Sequence, residues 1–182
     1  RVVHAPSGRA VSFAQLASFM PPEDRVCIAD SVAPVCADVP DTAKGFFIGF
    51  PHVIFTYAAH LARIEVDVLS GEIRVCDYLA ATDGGAVINP QMFDQQIHGG
   101  VAQGIGYALM EDVVIREGRV LSDDLTTYLI PGALDLPDIV SIACPGNEAT
   151  GPQGMKGVGE VAMNGPLPAI ANALDDACAI RL

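Results

Sequence analysis

Residues 60–82, HLARIEVDVLSGEIRVCDYLAAT, carry the pattern that decides the fold. Polar and apolar residues alternate in the first half, which is the period of a half-buried strand. The sequence Ser-Gly-Glu at 70–72 turns the chain, and a second run rich in β-forming residues follows. These features predict a β-hairpin within residues 52–82. Its polar side is expected to face solvent, and a helix is expected to cover the apolar side, which includes Ile64, Val66 and Val68.

A long helix is predicted over residues 88–112, shortly after the hairpin. Asn89 is suited to cap it, and Pro90 stands at the first helical position, where its missing N–H costs nothing. Apolar residues recur at a spacing of four and form one stripe: Phe93, Ile97, Val101, Ile105 and Leu109. Each glycine inside the helix weakens it by about 1 kcal/mol relative to alanine. Because four occur (Gly99, Gly100, Gly104 and Gly106), another backbone or a ligand is expected to lie very close.

Shorter elements complete the predicted architecture. Residues 12–19 form a helix capped by Ser12, and residues 166–182 form the last helix. A second hairpin over 113–130 turns at Glu117 and Gly118, and residues 138–144 form one more strand. The pattern predicts an α+β fold, with an antiparallel or mixed sheet built from hairpins and helices packed on one face as a two-layer sandwich. Residues 1–45 are predicted to be a connector with the short helix, and residues 46–182 the main body.

Composition excludes several classes of function. Hydrophobic residues make up 51% of the chain and charged residues 18%, which favours a packed core and an apolar surface that meets other protein. The net charge is −12, and the ten Lys and Arg residues form no basic run, so a nucleic-acid partner is not expected. No apolar stretch reaches the roughly 18–20 residues of a membrane span, and no signal peptide is recognisable. We therefore expect a cytoplasmic protein without a membrane partner.

The five cysteines are not expected to form a framework. Their number is odd and no C-x-x-C occurs, so the spacing predicts neither disulfides nor a zinc or iron–sulfur site. Buried, reduced thiols in a cytosolic protein are the favoured interpretation. His52, His60 and His98 likewise have no metal-ligand spacing, and no metal site is predicted from them.

The segment GPQGMKGVGE, residues 151–160, ends in a candidate catalytic base. Glycine-rich runs mark tight turns or a close approach of the backbone to a ligand. Glu160 has the apolar neighbours Val158 and Val161, and a carboxyl desolvated in this way is suited to proton transfer near neutral pH. Lys156 could oppose this effect as a counter-charge. Spacing alone favours the simpler interpretation, in which Glu160 is a solvated carboxylate on a surface turn.

Gln103 is a second candidate, within the glycine-rich helix. Its amide offers donors and an acceptor to a heteroaromatic ligand, although a glutamine on a helix surface is the simpler interpretation. The glycine spacing in GMKGVG differs from that of the phosphate-binding loop and of the dinucleotide fingerprint. A nucleotide site is therefore not predicted.

Three long segments together resemble one family. They are GEIRVCDYLAATDGGAVINPQMFDQQIHGGVAQGIGYALMED (71–112), YLIPGALDLPDI (128–139) and GPQGMKGVGEVAMNGPLPAIANAL (151–174). In this order they resemble the C-terminal part of the molybdopterin-binding subunit of the xanthine dehydrogenase/aldehyde oxidase family of molybdenum hydroxylases. The resemblance covers most of the chain, from about residue 52 to the end, and HAPSGRAVSFAQLA near the start is similar to a further segment of that subunit. It implies that the chain is a fragment of a larger molybdopterin-binding subunit.

The resemblance implies roles for individual residues. The glutamate of KGVGE is the family's catalytic base and falls on Glu160, while Gln103 matches a glutamine that contacts the pterin. Gly104 and Gly157 are the other expected cofactor contacts. The family hydroxylates a carbon of an N-heterocycle or an aldehyde with oxygen from water, and the base takes a proton while the cofactor does the redox work. The helix glycines would then leave room for the cofactor or for the domain that carries it.

The chain also departs from the family. Proline commonly follows the catalytic glutamate, whereas Val161 follows it here. The family's upstream cofactor-binding glycines, its substrate-orienting arginine and glutamine, and its phosphate-contacting loops have no counterpart. We therefore expect the isolated chain to be inactive and free of cofactor, with molybdopterin held largely by the rest of the molybdenum subunit. Electrons would leave through 2Fe-2S and FAD groups on partner domains or subunits. The chain is either an excised domain, which the start at Arg1 favours, or part of a split subunit.

Two other functions remain open. One is a non-catalytic assembly module that keeps the fold, although the retained Glu160 and Gln103 argue against it. The other is a stand-alone acidic binder of small molecules, which would need a closed pocket within the chain. An open, partly apolar groove beside residues 99–106 and 151–161 would speak against such a binder. The sequence does not identify the substrate.

Overall fold

The computed structural model describes residues 2–4, 6–26, 28 and 54–182. Contacts divide the chain into two units, Arg1–Ala33 and Pro34–Leu182. The first unit contains a small antiparallel hairpin and a helix that Ser12 caps, as predicted, through a bond from Gln15 N to Ser12 Oγ of 3.1 Å. Its elements are β1 Val2–His4, β2 Arg9–Val11, α1 Phe13–Ser18 and a 3₁₀ turn at Pro22–Arg25. Of the predicted connector and short helix at 1–45, the part beyond residue 28, including the predicted boundary at residue 45, lies outside the described residues.

The predicted hairpin at 52–82 is confirmed in the second unit. Strand β3 spans Tyr57–Val66 and pairs antiparallel with β4, Ile73–Asp83. Asp67 closes the turn by accepting bonds from the backbone N–H groups of Leu69 and Ser70, at 2.8 and 3.2 Å. A bulge interrupts the pairing between Arg63 and Ile64, so that Cys76 has no cross-strand partner. Beyond the bulge the buried residues of β4 change from odd to even numbers.

The remaining elements complete a mixed sheet covered on one face. Strand β7, Asp138–Ala143, pairs parallel to β4, which gives the order β3-β4-β7. The hairpin predicted over 113–130 is much smaller, because its strands are only two residues long and the residues after 120 form turns. The other elements are α2 Pro90–Leu109, β5 Ile115–Arg116, β6 Arg119–Val120, a 3₁₀ turn at Pro152–Gly154 and α3 Pro166–Cys178. The predicted α+β class is confirmed.

The core lies between the sheet and the two long helices. Asn89 caps α2 by accepting a bond from Met92 N at 3.1 Å, as predicted. The apolar stripe of α2 faces Val75, Tyr78 and Ala80, which alternate along one face of β4. Because α3 adds Ile170 to the same cluster, both helices cover the same face. The buried members of the α2 stripe are Phe93, Ile97, Val101 and Ile105.

The opposite face of the sheet differs from the expectation that it is polar throughout. Near the hairpin turn it carries two exposed ion pairs, Arg63 with Asp77 and Arg74 with Glu65. Toward the other end it is apolar, because Leu61, Leu79 and Val140 pair across the three strands. Leu61 is 67% exposed, Val140 52% and Ile142 42%. We call this surface the outer patch: Leu61, Leu79, Val140 and Ile142.

The structure also describes three of the five cysteines and the apolar character of the helices. Cys76, Cys144 and Cys178 are free thiols, and the other two cysteines lie outside the described residues. Among the helices in the described ranges, none combines the length and the apolar character that a membrane span requires.

The close approach predicted at the glycines of α2 is made at three of the four by the chain's own segments. A Cβ at Gly104 would lie 2.5 Å from Pro166 Cγ and 2.8 Å from Met163 O. Gly100 faces Ala162 in the same way, and Gly106 faces Pro131. Thus three of the glycines admit the chain's own segments, as a close backbone requires. Gly99 alone in α2 has open space at the Cβ position.

This difference predicts opposite effects of two alanine substitutions on stability. Gly104→Ala should lower the free energy of unfolding, because overpacking costs about 1–3 kcal/mol and the helix-propensity gain is only about 1 kcal/mol. Gly99→Ala has the same propensity gain without the clash, and should raise the free energy of unfolding by about 0.5–1 kcal/mol. Urea unfolding of the two variants beside the parent chain measures both changes. Equal changes would show that Pro166 and Met163 yield without cost.

Candidate active site

The glycine-rich segment 151–160, which we call the loop, is anchored to the chain just after the end of β4. Residues 154–156 pair with residues 84–86, through bonds from Ala86 N to Gly154 O at 2.8 Å and from Lys156 N to Gly84 O at 2.9 Å. Gly85 and Met155 form an antiparallel bridge between them. The loop therefore continues the sheet beyond β4 before it reaches Gly157.

Lys156 and Asp83 form an ion pair at this anchor. Lys156 Nζ lies 2.7 Å from Asp83 Oδ2, and the two side chains are only 10% and 28% exposed. The second oxygen of Asp83 accepts a bond from Gly85 N at 3.0 Å, and Lys156 Nζ also lies 5.4 Å from the centre of the Tyr57 ring. The charge of Lys156 is therefore taken up by Asp83, which lies 73 residues away in sequence, and not by Glu160.

The ion pair predicts a pH dependence of stability. The hydrogen bond from Lys156, followed by that from Gly85 N, lowers the pKa of Asp83 below its ordinary 3.8, and the same pair raises the pKa of Lys156 above 10.5. A lowered carboxyl pKa stabilises the fold above pH 3.8, and this stabilisation is lost as pH falls through the folded-state pKa. Asp83→Asn should therefore lower the melting temperature at neutral pH, and by progressively less in more acidic buffers. A difference that stays constant down to about pH 2 would contradict this linkage.

Two side chains hold the backbone of the loop beyond this anchor. Thr56 Oγ1 donates to Gly157 O at 2.6 Å, and Gln96 Nε2, from the second turn of α2, donates to Gly159 O at 2.5 Å. Met163 N then donates to Glu160 O at 3.0 Å and turns the chain toward α3. The carboxylate of Glu160 is exposed and makes no hydrogen bond within the described residues. The neighbouring apolar residues thus do not bury it, which agrees with the solvated carboxylate that spacing alone favoured and not with the desolvated one.

Gln103 lies on the same side of α2 as Gln96, which contacts the loop. Gln96, Gly99 and Gln103 are all exposed and follow each other at spacings of three and four, which places them on one side of the helix. Gln103 stands about 10 Å along the axis from Gln96, at about 1.5 Å per residue. We call Gln96, Gly99 and Gln103 the α2 strip. Gln96 was not singled out from the sequence.

The glycines of the loop fall into two groups. Gly154 has φ of +81° and is buried against Asn147, and Gly151 is packed against Met155, so both serve the turn. Gly157 and Gly159 have open space at the Cβ position and no positive φ. Among the described glycines, only these two and Gly99 have neither an atom within 4 Å of the Cβ position nor a positive φ. All three belong to the loop or to the α2 strip.

One surface groove lies beside the loop, and one larger cavity lies far from it. An open groove of about 340 Å³ runs between the first half of α2 and the loop, with Met92, Gln96 and Val158 in its lining. It therefore lies beside the start of α2 and not beside residues 99–106. A larger cavity of about 720 Å³ lies at the opposite end of β4, lined by Val75, Ile105 and Leu136 among others, and is remote from Glu160.

His60 has a structural position. His60 Nδ1 is 2.8 Å from the hydroxyl of Tyr78, and burial lowers the pKa of His60. Its ring occupies the space that a side chain at residue 165 would need, which accounts for Gly165 at the start of α3. His98 is exposed on α2, and His52 lies outside the described residues. No group of three metal-ligating side chains occurs within the described ranges.

A comparison with known protein families identifies the class of protein that carries this surface. A carboxylate stands on a tethered loop, open glycines surround it, and an exposed amide lies on the adjacent helix. The profile of the molybdopterin cofactor-binding domain family matches residues 1–137, and the chain belongs to this family.

Known relatives agree with this assignment. The chain is 37% identical over 134 residues to the probable hypoxanthine oxidase XdhD of Escherichia coli (strain K12), covering 72% of this chain and 14% of the relative. It is 37% identical over 126 residues to a probable xanthine dehydrogenase component of Bacillus subtilis (strain 168), covering 69% and 17%. The crystal structure of quinoline 2-oxidoreductase from Pseudomonas putida 86 superposes with a TM-score of 0.63 at 40% identity, covering 66% and 15%. The chain therefore spans about a sixth of the length of these relatives.

Proposed function

We propose that this chain supplies the catalytic base, Glu160, to the active site of a molybdenum hydroxylase. The observation that carries the proposal is the set of three open glycines, Gly99, Gly157 and Gly159. Nothing within the described residues requires glycine at these positions, so their small size suits a body that approaches from outside. Glu160 directly follows one of them and presents its carboxylate to the same outside space.

The residues of this surface fit the molybdenum cofactor through its organic part. Gln103 offers an amide, and the open backbone around Gly157 offers peptide groups, which suit hydrogen bonds to a pterin. Gly104 is buried against Pro166, so we assign it a supporting role in which it keeps the following segment close to α2. We infer that the metal itself is held by protein outside this chain, together with most of the cofactor.

In the proposed reaction Glu160 acts as a general base. When bound, the molybdenum cofactor supplies the two-electron oxidation of the substrate carbon. The carboxylate of Glu160 takes the proton from the water-derived oxygen that adds to this carbon, which requires hydrogen-bonding distance to that oxygen. The hydrogen bonds at Gly157 O and Gly159 O hold the backbone on which the carboxylate is carried.

The rest of a molybdenum subunit is the proposed partner. The relatives are about six to seven times as long as the matched segment, so most of such a subunit lies outside this chain. The outer patch is an apolar surface of the kind that packs against another domain. On this basis we propose that the isolated chain is inactive, and that the complete cytoplasmic enzyme passes electrons to 2Fe-2S and FAD groups on partner domains or subunits.

The names of the relatives support a proposal for the substrate class. Their names refer to hypoxanthine, xanthine and quinoline, which are all N-heterocycles. Other relatives are aldehyde oxidoreductases. We therefore propose water-derived hydroxylation of an N-heterocycle or an aldehyde.

Replacement of Glu160 by glutamine in the complete enzyme tests the proposal. Loss of turnover with retained cofactor supports the catalytic role. The outer patch also favours a second candidate, a non-catalytic module for subunit assembly. Unchanged turnover in the Glu160→Gln enzyme would select that second function.

A further inference from the structure

We propose that Gln96 is the positioning residue for Glu160. Gln96 Nε2 donates to the carbonyl oxygen of Gly159 at 2.5 Å. This carbonyl belongs to the peptide group that joins Gly159 to Glu160, so the bond fixes the plane from which the Glu160 side chain departs. The inference rests on the proposed function, because it explains how that base is held.

Among the described residues, the bond from Thr56 to Gly157 O is the other side-chain contact that holds the loop beyond Lys156, and it lies two residues further from Glu160 than the bond from Gln96. Gly157 and Gly159 have no close neighbours at the Cβ position, and glycine leaves the backbone free to rotate. The Glu160 carboxylate has no hydrogen-bond partner of its own within the described residues. Its direction therefore depends on the backbone on both sides, which Gln96 holds before it and Met163 N holds after it.

Gln96 is suited to this task in its placement and its charge. It lies in the second turn of α2, next to Phe93 and Ile97, which are buried in the core and keep that turn rigid. An uncharged amide can hold the carbonyl without adding a charge beside the base. The nearest upstream charge on the loop, Lys156, is already paired with Asp83. The loop is thus oriented near Glu160 by a neutral group, while the Lys156–Asp83 ion pair fixes only the start of the loop.

The test compares Gln96→Met and Gln96→Glu in the complete enzyme, with Gln95→Met and Gln95→Glu as matched controls. Gln95 is exposed on α2 and makes no side-chain hydrogen bond within the described residues. Gln96→Met should lower kcat by about 10- to 10²-fold with little change in KM, because a small displacement of a catalytic group costs rate and not binding. Amide exchange of residues 157–163 should become roughly three- to tenfold faster. Gln95→Met should alter neither quantity.

Gln96→Glu separates a positioning role from a merely structural one. Its ionised carboxylate cannot donate to Gly159 O, whereas the protonated form can. The kcat of Gln96→Glu relative to Gln95→Glu should therefore rise as the pH falls from about 8 to about 5.5. Glu160 and the Lys156–Asp83 pair are present in both enzymes, so the ratio to Gln95→Glu removes the pH effects that the two enzymes share, together with the effect of the added charge. A ratio that is independent of pH would overturn the inference.

The remaining outcomes are also decisive. If Gln96→Met matches Gln95→Met in kcat and amide exchange, Gln96 does not position the base. If Gln96→Met fails to assemble, the pH dependence of Gln96→Glu decides alone. Glu160→Gln is measured beside these variants to separate the two proposals. Normal kcat in Glu160→Gln defeats the proposed function itself, whereas a low kcat there and a normal kcat in Gln96→Met defeats only the inference about Gln96.

Discussion

Glu160→Gln is expected to lower kcat of the complete enzyme by about 10²–10⁴-fold, the range for a lost general base. Glutamine has nearly the same size and keeps the hydrogen bonds of the loop backbone, but it cannot accept the proton. KM should change little, because the carboxylate acts on the reacting oxygen and does not hold the substrate. Steady-state turnover with an N-heterocycle and with an aromatic aldehyde measures both constants.

The control for this experiment must also remove one exposed carboxylate. Asp94 is exposed on α2, and Asp94→Asn changes the net charge by the same amount. It should keep parental kcat, and both variants should retain the parental molybdenum content. Loss of molybdenum in Glu160→Gln would mean that the glutamate supports cofactor binding, and the catalytic assignment would then fail.

Leu61→Glu is expected to prevent assembly of the complete molybdenum subunit without unfolding the domain. Leu61 is 67% exposed on the outer patch, so a charge there costs this domain little. If the rest of the subunit covers the patch, the variant must bury an unpaired carboxylate, at about 3–5 kcal/mol. Such a cost weakens docking by roughly 10²-fold or more. Molybdenum content and the yield of assembled enzyme measure the loss.

Leu69 provides the matched control, since it is 96% exposed on the turn between β3 and β4. Leu69→Glu should assemble normally and keep its molybdenum. When both variants are measured as isolated chains, they should also have the same circular dichroism spectrum and the same melting temperature as each other. Normal assembly of Leu61→Glu would show that the outer patch is not the docking surface.

The local sequence pattern was sufficient to predict the hairpin and α2, but it did not predict every surface that these elements form with the rest of the fold. The alternation around Ile64 and the cap at Asn89 are short-range features, and the hairpin and α2 appear where they predict. The apolar outer patch was missed because Val140 reaches it through parallel pairing between β4 and β7. Such pairing is a property of the tertiary fold. The bulge at Cys76 also interrupts the period of two along β4.

The candidate site was predictable only in part for the same reason. The resemblance identified Glu160 and Gln103 as candidates, and these roles stay predictions. Gln96 carries no signal in the sequence, because its bond to Gly159 joins residues 63 positions apart. The glycines of α2 were expected to admit another backbone or a ligand, and Gly104 admits the chain's own segment at Pro166. Composition cannot distinguish these cases, because both require a missing side chain.

The long-range anchors of the loop also bear on the order of folding. Asp83 and Gln96 meet the loop only across 73 and 63 residues of intervening chain. Contacts between distant residues form late, because closing a long stretch of chain costs entropy before the contact repays it. The loop is therefore expected to order only after β4 and α2 have packed together. A newly synthesised chain would present Glu160 correctly only once its core is complete, so partially folded chains would carry the carboxylate without the geometry that catalysis needs.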